Sequence, residues 1–197
     1  MKTKQMIIPL ALALVTACAK PPQAEVDAAR AALDSARTAE AAEYAPESLA
    51  AAEDALAALD AEIQAQQGRF FLIRSYGEAQ TKAAAAREAA EKAAGDAATA
   101  REQVRVESEG LLAQASAQLT EASSLLAVAP TGKGTAADIA ALKADLQAAT
   151  STIKEAEQAY SAGQYKEAQA KATAAIATIG TVKQAIESAR QMRERRS

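Results

Sequence analysis

The 197-residue chain contains no histidine and no tryptophan, a single cysteine, and only six phenylalanine and tyrosine residues in all. Without histidine, Ser-His-Asp and Cys-His catalysis and every histidine-based metal site are excluded within this chain, because each needs an imidazole to move a proton or donate a lone pair. One cysteine allows no internal disulfide. So few aromatics deprive the chain of the side chains that bury the most area, which excludes a thick globular centre. The only sustained apolar run, Met6 to Val15 (MIIPLALALV), has ten residues, whereas a membrane-spanning helix needs about 20.

What the chain has instead is alanine, at 58 of its 197 positions, with Glu, Lys and Arg as the main charged residues. Alanine has the highest helix propensity and these charged residues rank close behind it, so an all-α chain follows. Alanine buries little apolar area, so stability must come from many long, closely approaching helices.

The apolar run has the setting of an export signal. Lys2 and Lys4 precede it, and Val15, Thr16 and Ala17 end it as a processing site of small or β-branched residues. Cys18 follows at once. An ordinary signal peptidase would accept the same site, which leaves simple secretion with a leftover thiol as one reading. A free thiol in an oxidising compartment is a liability, however, and there is no second cysteine to pair with it. VTAC resembles the lipobox of bacterial lipoproteins. That resemblance implies that the signal is cut before Cys18, that Cys18 is diacylated and that its new amino terminus is acylated. Ala19 after the cysteine, rather than Asp, implies sorting to the periplasmic face of the outer membrane. Several acyl chains, at ~0.8 kcal/mol per buried methylene, make such an anchor effectively permanent.

Removal of residues 1–17 takes away two lysines and no acids, leaving 20 basic against 25 acidic side chains and a formal charge of −5. A nucleic-acid partner is not expected, since phosphate binding needs a basic surface. The one basic cluster is the tail RQMRERRS, with Arg190, Arg193, Arg195 and Arg196. Its simplest role is a solvated helix end whose cations complement the macrodipole; Arg193, Arg195 and Arg196 are also candidates for contact with a partner, anionic lipid or cell-wall polymer.

Apolar residues at three-four spacing lay out the helices. Val26, Ala29, Leu33 and Ala36 predict a first helix over about 23–42. Pro46 disfavours helical geometry at Ala45 and suits a first helical position, so a second helix starts there with the stripe Leu49, Ala52, Leu56, Leu59 and Ile63. From Phe70 to about Ala127 the chain has no proline. Its seam is alanine-rich through Tyr76, Ala79, Ala83, Ala86, Ala90, Ala93, Ala97 and Ala100, then Val104. After a one-residue phase slip it continues through Leu112, Ala115, Leu119, Ala122 and Leu126. Gly95 followed by Asp96 is a candidate break in this helix.

APTGKGTAAD is the clearest linker, after which Thr135 and Asp138 fit a capping box. Ile139, Leu142, Leu146, Ala149, Ile153, Ala156 and Tyr160 make one stripe. SAGQ turns the chain, and Tyr165, Ala168, Ala172, Ile176, Ile179, Val182 and Ile186 make the returning one, which predicts an antiparallel hairpin. The expected organisation is a signal over 1–17, a lipidated tether over 18–22, an alanine-rich three-helix region over 23–128, a linker over 129–134 and a helical hairpin over 135–194. Two short helices on the first half of the long one, and the hairpin on its second half, give an elongated, coiled-coil-like antiparallel bundle of about five helices.

YAPESLAAAEDALAALDAE and RFFLIRSYGEAQTKAAAA carry a second resemblance. Ala45, Pro46, Glu47 and Leu49, then Tyr76 and Ala79, resemble the helix starts of an alanine-rich helical domain of unknown function found in many bacterial lipoproteins, over roughly residues 21–100. That resemblance implies an exported, lipid-anchored helical domain and supplies no catalytic residue. AYSAGQYKEAQAKA is similar instead to the turn of a tetratricopeptide-type helical pair.

Two near-motifs for chemistry do not hold. Ser151 and Lys154 in STIK fit the S-x-x-K pattern of penicillin-interacting enzymes, but SDN and KTG are absent from the chain. TGKGT lacks the first glycine of a phosphate loop, where Ala127 stands, and Gly134 follows Lys133 where Ser or Thr is needed. Glu53, Asp54, Asp60 and Glu62 read as solvated helix backs, and Glu88 with Lys92 and Glu167 with Lys171 as i, i+4 pairs. Phe70, Phe71, Leu72 and Ile73 form the densest apolar cluster after residue 17, at a turn. Their simplest role is to plug the end of the bundle; otherwise Phe70 and Phe71 form an exposed patch for a partner.

No cofactor is expected. The function expected is that of a non-enzymatic envelope lipoprotein, a helical spacer, scaffold or adaptor whose partners are the membrane, through its lipid, and another envelope protein or peptidoglycan. The alternative is a periplasmic module binding a small ligand or cell-wall fragment; close-packed alanine helices leave little pocket volume for one. Replacing Cys18 with Ser should shift the protein from the membrane to the soluble fraction on ultracentrifugation, and unchanged membrane association would refute acylation at this residue.

Overall fold

Between its breakers the chain does what its propensities dictate. The computed structural model describes residues 20–129 and 136–195, and all its regular structure among them is helical. The elements are α1 (Gln23–Thr38), the single turn α2 (Ala41–Tyr44), α3 (Pro46–Gly68), a 3-10 turn over Phe71–Ile73, α4 (Gly77–Ala127), α5 (Ala136–Ser161) and α6 (Tyr165–Glu194). The protein is an all-α helical bundle. The helices form two compact units, one ending at Asp96 and the other beginning at Ala97, with α4 contributing to both. Cys18, Arg196 and the segment Pro130–Thr135 lie outside the described residues.

Three boundaries differ from the sequence-based expectation. The first helix ends at Thr38 rather than near residue 42, because Glu40 takes a left-handed conformation (φ 61°) and α2 restarts one residue later. The break lets Ala41 and Tyr44 turn inward, where both are buried. The long helix begins at Gly77, not at Phe70. It then passes through Gly95 without interruption. Asp96 does not start a new helix because its carboxylate has partners elsewhere: it accepts hydrogen bonds from Lys92, one turn back, and from Ser48 in the first turn of α3. These two bonds hold the Asp96 carboxyl below its ordinary pKa, Lys92 contributing most.

The core of the first unit follows the predicted stripes. Val26 and Ala29 of α1 meet Leu59 of α3 and Tyr76, Ala79, Ala83 and Ala86 at the start of α4, with Leu56 and Ile63 partly buried against them. Alanine on α4 lets the neighbouring helices approach closely, and Leu59, with no exposed surface, fills much of the space that remains. Around this core, Arg30 pairs with Asp60 and Arg37 with Glu53, each at 2.8 Å. Asp60 and Glu53 therefore tie α1 to α3 rather than simply facing solvent. Exposed pairs of this kind add little to stability because solvent screens them, so they set register more than they stabilise.

In the second unit Ala115, Ala122 and Leu126 of α4 pack with Leu146, Ala149 and Ile153 of α5 and Ala175, Ile179, Val182 and Ile186 of α6. The step between Val104 and Leu112 is occupied by Ser108, which is fully buried. Its single hydroxyl proton lies between two carbonyl acceptors, those of Val104 at 2.6 Å and Tyr165 at 2.8 Å, so the buried donor on the seam has a partner on either helix.

The SAGQ turn closes α5 on α6. Gly163, at φ 80°, donates to the Tyr160 carbonyl and Gln164 to that of Ala159, the two bonds of a Schellman motif. Arg101 lies over the Tyr165 ring, 4.9 Å from its centroid, and Arg105 donates to the Tyr160 hydroxyl at 3.0 Å, so both tyrosines of the hairpin are held by α4. Hydrogen bonds to Glu102 and then to Tyr160 hold the Arg105 proton more firmly than usual, and the same contact lowers the Glu102 carboxyl.

Leu59→Ala and Ile179→Ala each empty a fully buried site among alanines that cannot expand to fill it. Each should cost about 2–5 kcal/mol in urea unfolding of the full chain. A loss below 1 kcal/mol for both would mean that these two residues do not carry the cores.

Candidate functional site

The segment from Arg69 to Tyr76 between α3 and α4 is the most distinctive surface feature of the first unit, and it is built from its backbone outward. The α3 stripe continues one step past Ile63 to Gln66, which is buried although polar. Its amide is satisfied on both sides: Nε2 donates to Glu62 Oε1 at 2.8 Å, and Oε1 accepts from the Ser75 backbone N–H at 3.1 Å. Arg74 folds back over the helix end, with Nε donating to the Arg69 carbonyl at 2.9 Å and Nη2 to the Gln67 carbonyl at 2.8 Å. The C-terminal carbonyls of a helix lack partners within it; this guanidinium supplies one to Gln67 and ties down the extended residue that follows the helix, Arg69. Within the loop, the Ile73 N–H donates to the Phe70 carbonyl at 3.0 Å, closing the 3-10 turn.

With the backbone held in this way, the four apolar side chains face outward. Phe70, Phe71, Leu72 and Ile73 are 62%, 57%, 71% and 65% exposed. The expectation that they plug the end of the bundle is therefore overturned. Tyr76, buried in the core, fills that end instead. The rings of Phe70 and Phe71 touch only in a tilted pair, with centroids 4.7 Å apart. Burying side chains of this size yields about 1.5–3 kcal/mol each, and here that gain is not realised within the unit. A run of four such residues is more than the scattered apolar exposure of an ordinary surface.

The other predicted contact residues are not part of this loop. Arg193 lies in the last turn of α6 and Arg195 just beyond it, both exposed and both in the second unit. Arg190 instead reaches the Leu125 carbonyl near the end of α4, at 3.5 Å. Ser151 and Lys154 are exposed on the outer face of α5. No group of three or more acidic or cysteine side chains with metal-binding geometry occurs among the described residues. A groove of about 450 Å³ between α1 and α4 is lined by Ala24, Ala28, Ala83 and Ala84 with charged rims at Glu25 and Arg87, and Arg87 is itself paired with Glu91.

No family model matches the chain, and neither a curated protein nor a solved structure does so. The resemblances described above thus rest on their own residues.

Sequence reasoning located the apolar cluster but missed what holds it. Gln66 carried a signal, because a glutamine at the next stripe position after Ile63 must find polar partners. Arg74 carried none, since its contacts depend on where the loop returns. Phe70→Ala and Phe71→Ala should each change unfolding stability by no more than about 0.5 kcal/mol. Gln66→Ala, which removes a buried side chain together with the acceptor of the Ser75 N–H, should cost about 1 kcal/mol, since Ser75 is exposed and its N–H can turn to water. A large loss for the phenylalanines measured by urea titration would return them to the core.

Proposed function

We propose that this chain is a non-enzymatic envelope lipoprotein, held at the membrane by an acylated Cys18 and serving as a helical spacer, scaffold or adaptor. The observation that carries this reading is the sequence VTACAKPPQ: a processing-like site and lone cysteine at the end of a ten-residue apolar run, followed after only five positions by the first residue of α1. A tether this short and proline-stiff keeps the first unit close to whatever holds Cys18. No described helix is long and apolar enough to cross a membrane, so a membrane attachment of the described part needs some other means, and acylation supplies one.

Further support comes from the character of the surfaces. Short alanine side chains bring the helices together; the groove at Ala24, Ala28 and Ala83 has charged rims and the one floored by Leu119, Leu126 and Leu146 has a polar rim, and both are open grooves rather than enclosed pockets. This favours an adaptor that presents helix faces over a module that encloses a ligand. The implied partners are another envelope protein or peptidoglycan. Crosslinking in intact cells followed by mass spectrometry should recover a reproducible protein neighbour. Recovery of cell-wall fragments or lipid adducts alone would favour a ligand-binding module over the adaptor.

A further inference from the structure

The first unit is antiparallel between α1 and α3: Arg30 meets Asp60 and Arg37 meets Glu53, so residues early in α1 lie beside residues late in α3. Val26, near the start of α1, shares its core with Tyr76 and Ala79 at the start of α4. The beginning of α1, the end of α3 and the loop carrying Phe70, Phe71, Leu72 and Ile73 therefore occupy one end of this unit. Chain geometry adds a limit. The five steps from Cys18 to Gln23 span at most about 18 Å.

We propose that this loop inserts into the surface of the lipid bilayer to which Cys18 is attached, its four apolar side chains entering the boundary between headgroups and acyl chains. The proposal rests on the acylation of Cys18 for its orientation. Three features of the loop favour a lipid surface over a protein partner. The apolar residues are consecutive at the tip of a turn, a shape suited to penetration rather than to a flat interface. They are flanked by Arg69 and Arg74, and from Ile63 to Gly77 the chain carries these two cations and no carboxylate, which complements anionic headgroups. The carboxylates that flank this stretch in sequence are engaged locally, Glu62 accepting from Gln66 and Glu78 pairing with Lys82; at the start of α1, Asp27 accepts from Gln23 and Glu25 is exposed. The bonds from Gln66 and Arg74 keep the loop in its outward conformation, so little ordering remains to oppose insertion. An attached anchor also makes insertion intramolecular, so a loop too small to bind membranes alone becomes effective beside it.

The absence of tryptophan from the chain makes a direct test available. The full-length protein carrying Phe71→Trp, purified from membranes, is reconstituted into phosphatidylethanolamine–phosphatidylglycerol vesicles with or without brominated acyl chains. Glu47→Trp, at the start of α3 and so at the opposite end of the same unit, serves as the comparison. Acylation of Cys18 is checked separately by mass spectrometry. Insertion predicts a blue-shifted emission from position 71 and loss of most of its intensity with brominated lipid, while position 47 keeps a water-like spectrum and its intensity. Water-like, unquenched emission from position 71 in acylated protein would overturn insertion and leave the anchor intact. Quenching at position 71 that is lost when Cys18→Ser protein is mixed with the same vesicles would sustain anchored insertion, whereas equal quenching in unacylated protein would overturn the part given to the anchor. A photocrosslinking residue at position 71 that captures a protein in intact cells, with the indole there unquenched in the purified vesicles, would assign the loop to a protein partner and overturn the proposal.

Discussion

Close packing of alanine is the constraint on which the rest of the structure depends. Of the 30 buried apolar residues among those described, 18 are alanine. Each contributes one methyl group, so no single contact is large and the helices must be long and near one another for burial to accumulate. This explains why the few larger buried residues matter so much. Leu59 in the first unit and Ile179, Val182 and Ile186 in the second occupy the volume that alanine leaves open. It also explains why polar side chains can join the seam. Ser108 and Gln66 are buried with their hydrogen bonds completed by neighbouring backbone and side-chain groups.

The same economy makes the loop over Phe70 to Ile73 stand out. A chain with six aromatic residues and little else to build a core from leaves two of them exposed, together with a leucine and an isoleucine. Buried Tyr76 shows that the end of the bundle takes an aromatic where one is needed. The exposed four are held away from that position by a guanidinium on the helix end and an amide on the Ser75 N–H. Arg101 and Arg105 do comparable work in the second unit, where they secure the hairpin through Tyr165 and Tyr160. In both places a cation and an aromatic or carbonyl partner settle a turn that alanine could not specify.

Much of the fold is legible in the order of the amino acids. The stripe from Tyr76 through Ala97 is buried residue for residue, and the second long helix begins at Pro46, because three-four spacing and the restriction imposed by proline are local properties of the chain. Elsewhere local signals mislead. Gly95-Asp96 has the look of a helix boundary, but Asp96 finds Ser48, 48 positions away. The phase slip after Val104 has the look of a defect, but Ser108 fills it through Tyr165, 57 positions away. Glu40, with no glycine to announce it, takes the left-handed conformation that ends α1. In the first two cases a polar group's long-range partner overrides a local preference.

Helix type, the course of the apolar seams, the hairpin turn and the exclusion of histidine and disulfide chemistry were determined by the sequence alone, since each follows from the geometry or chemistry of neighbouring residues. Whether the apolar cluster faced in or out was decided only by tertiary structure. That outcome depends on Gln66 meeting Ser75 and Arg74 meeting Gln67 and Arg69, contacts set by the path on which the loop returns between α3 and α4, whose Leu59 and Ala79 share one core. A hydrophobic tetrapeptide has the same composition in a core and at a surface. Backbone hydrogen bonding, satisfied at one loop conformation, turned this one toward the outside.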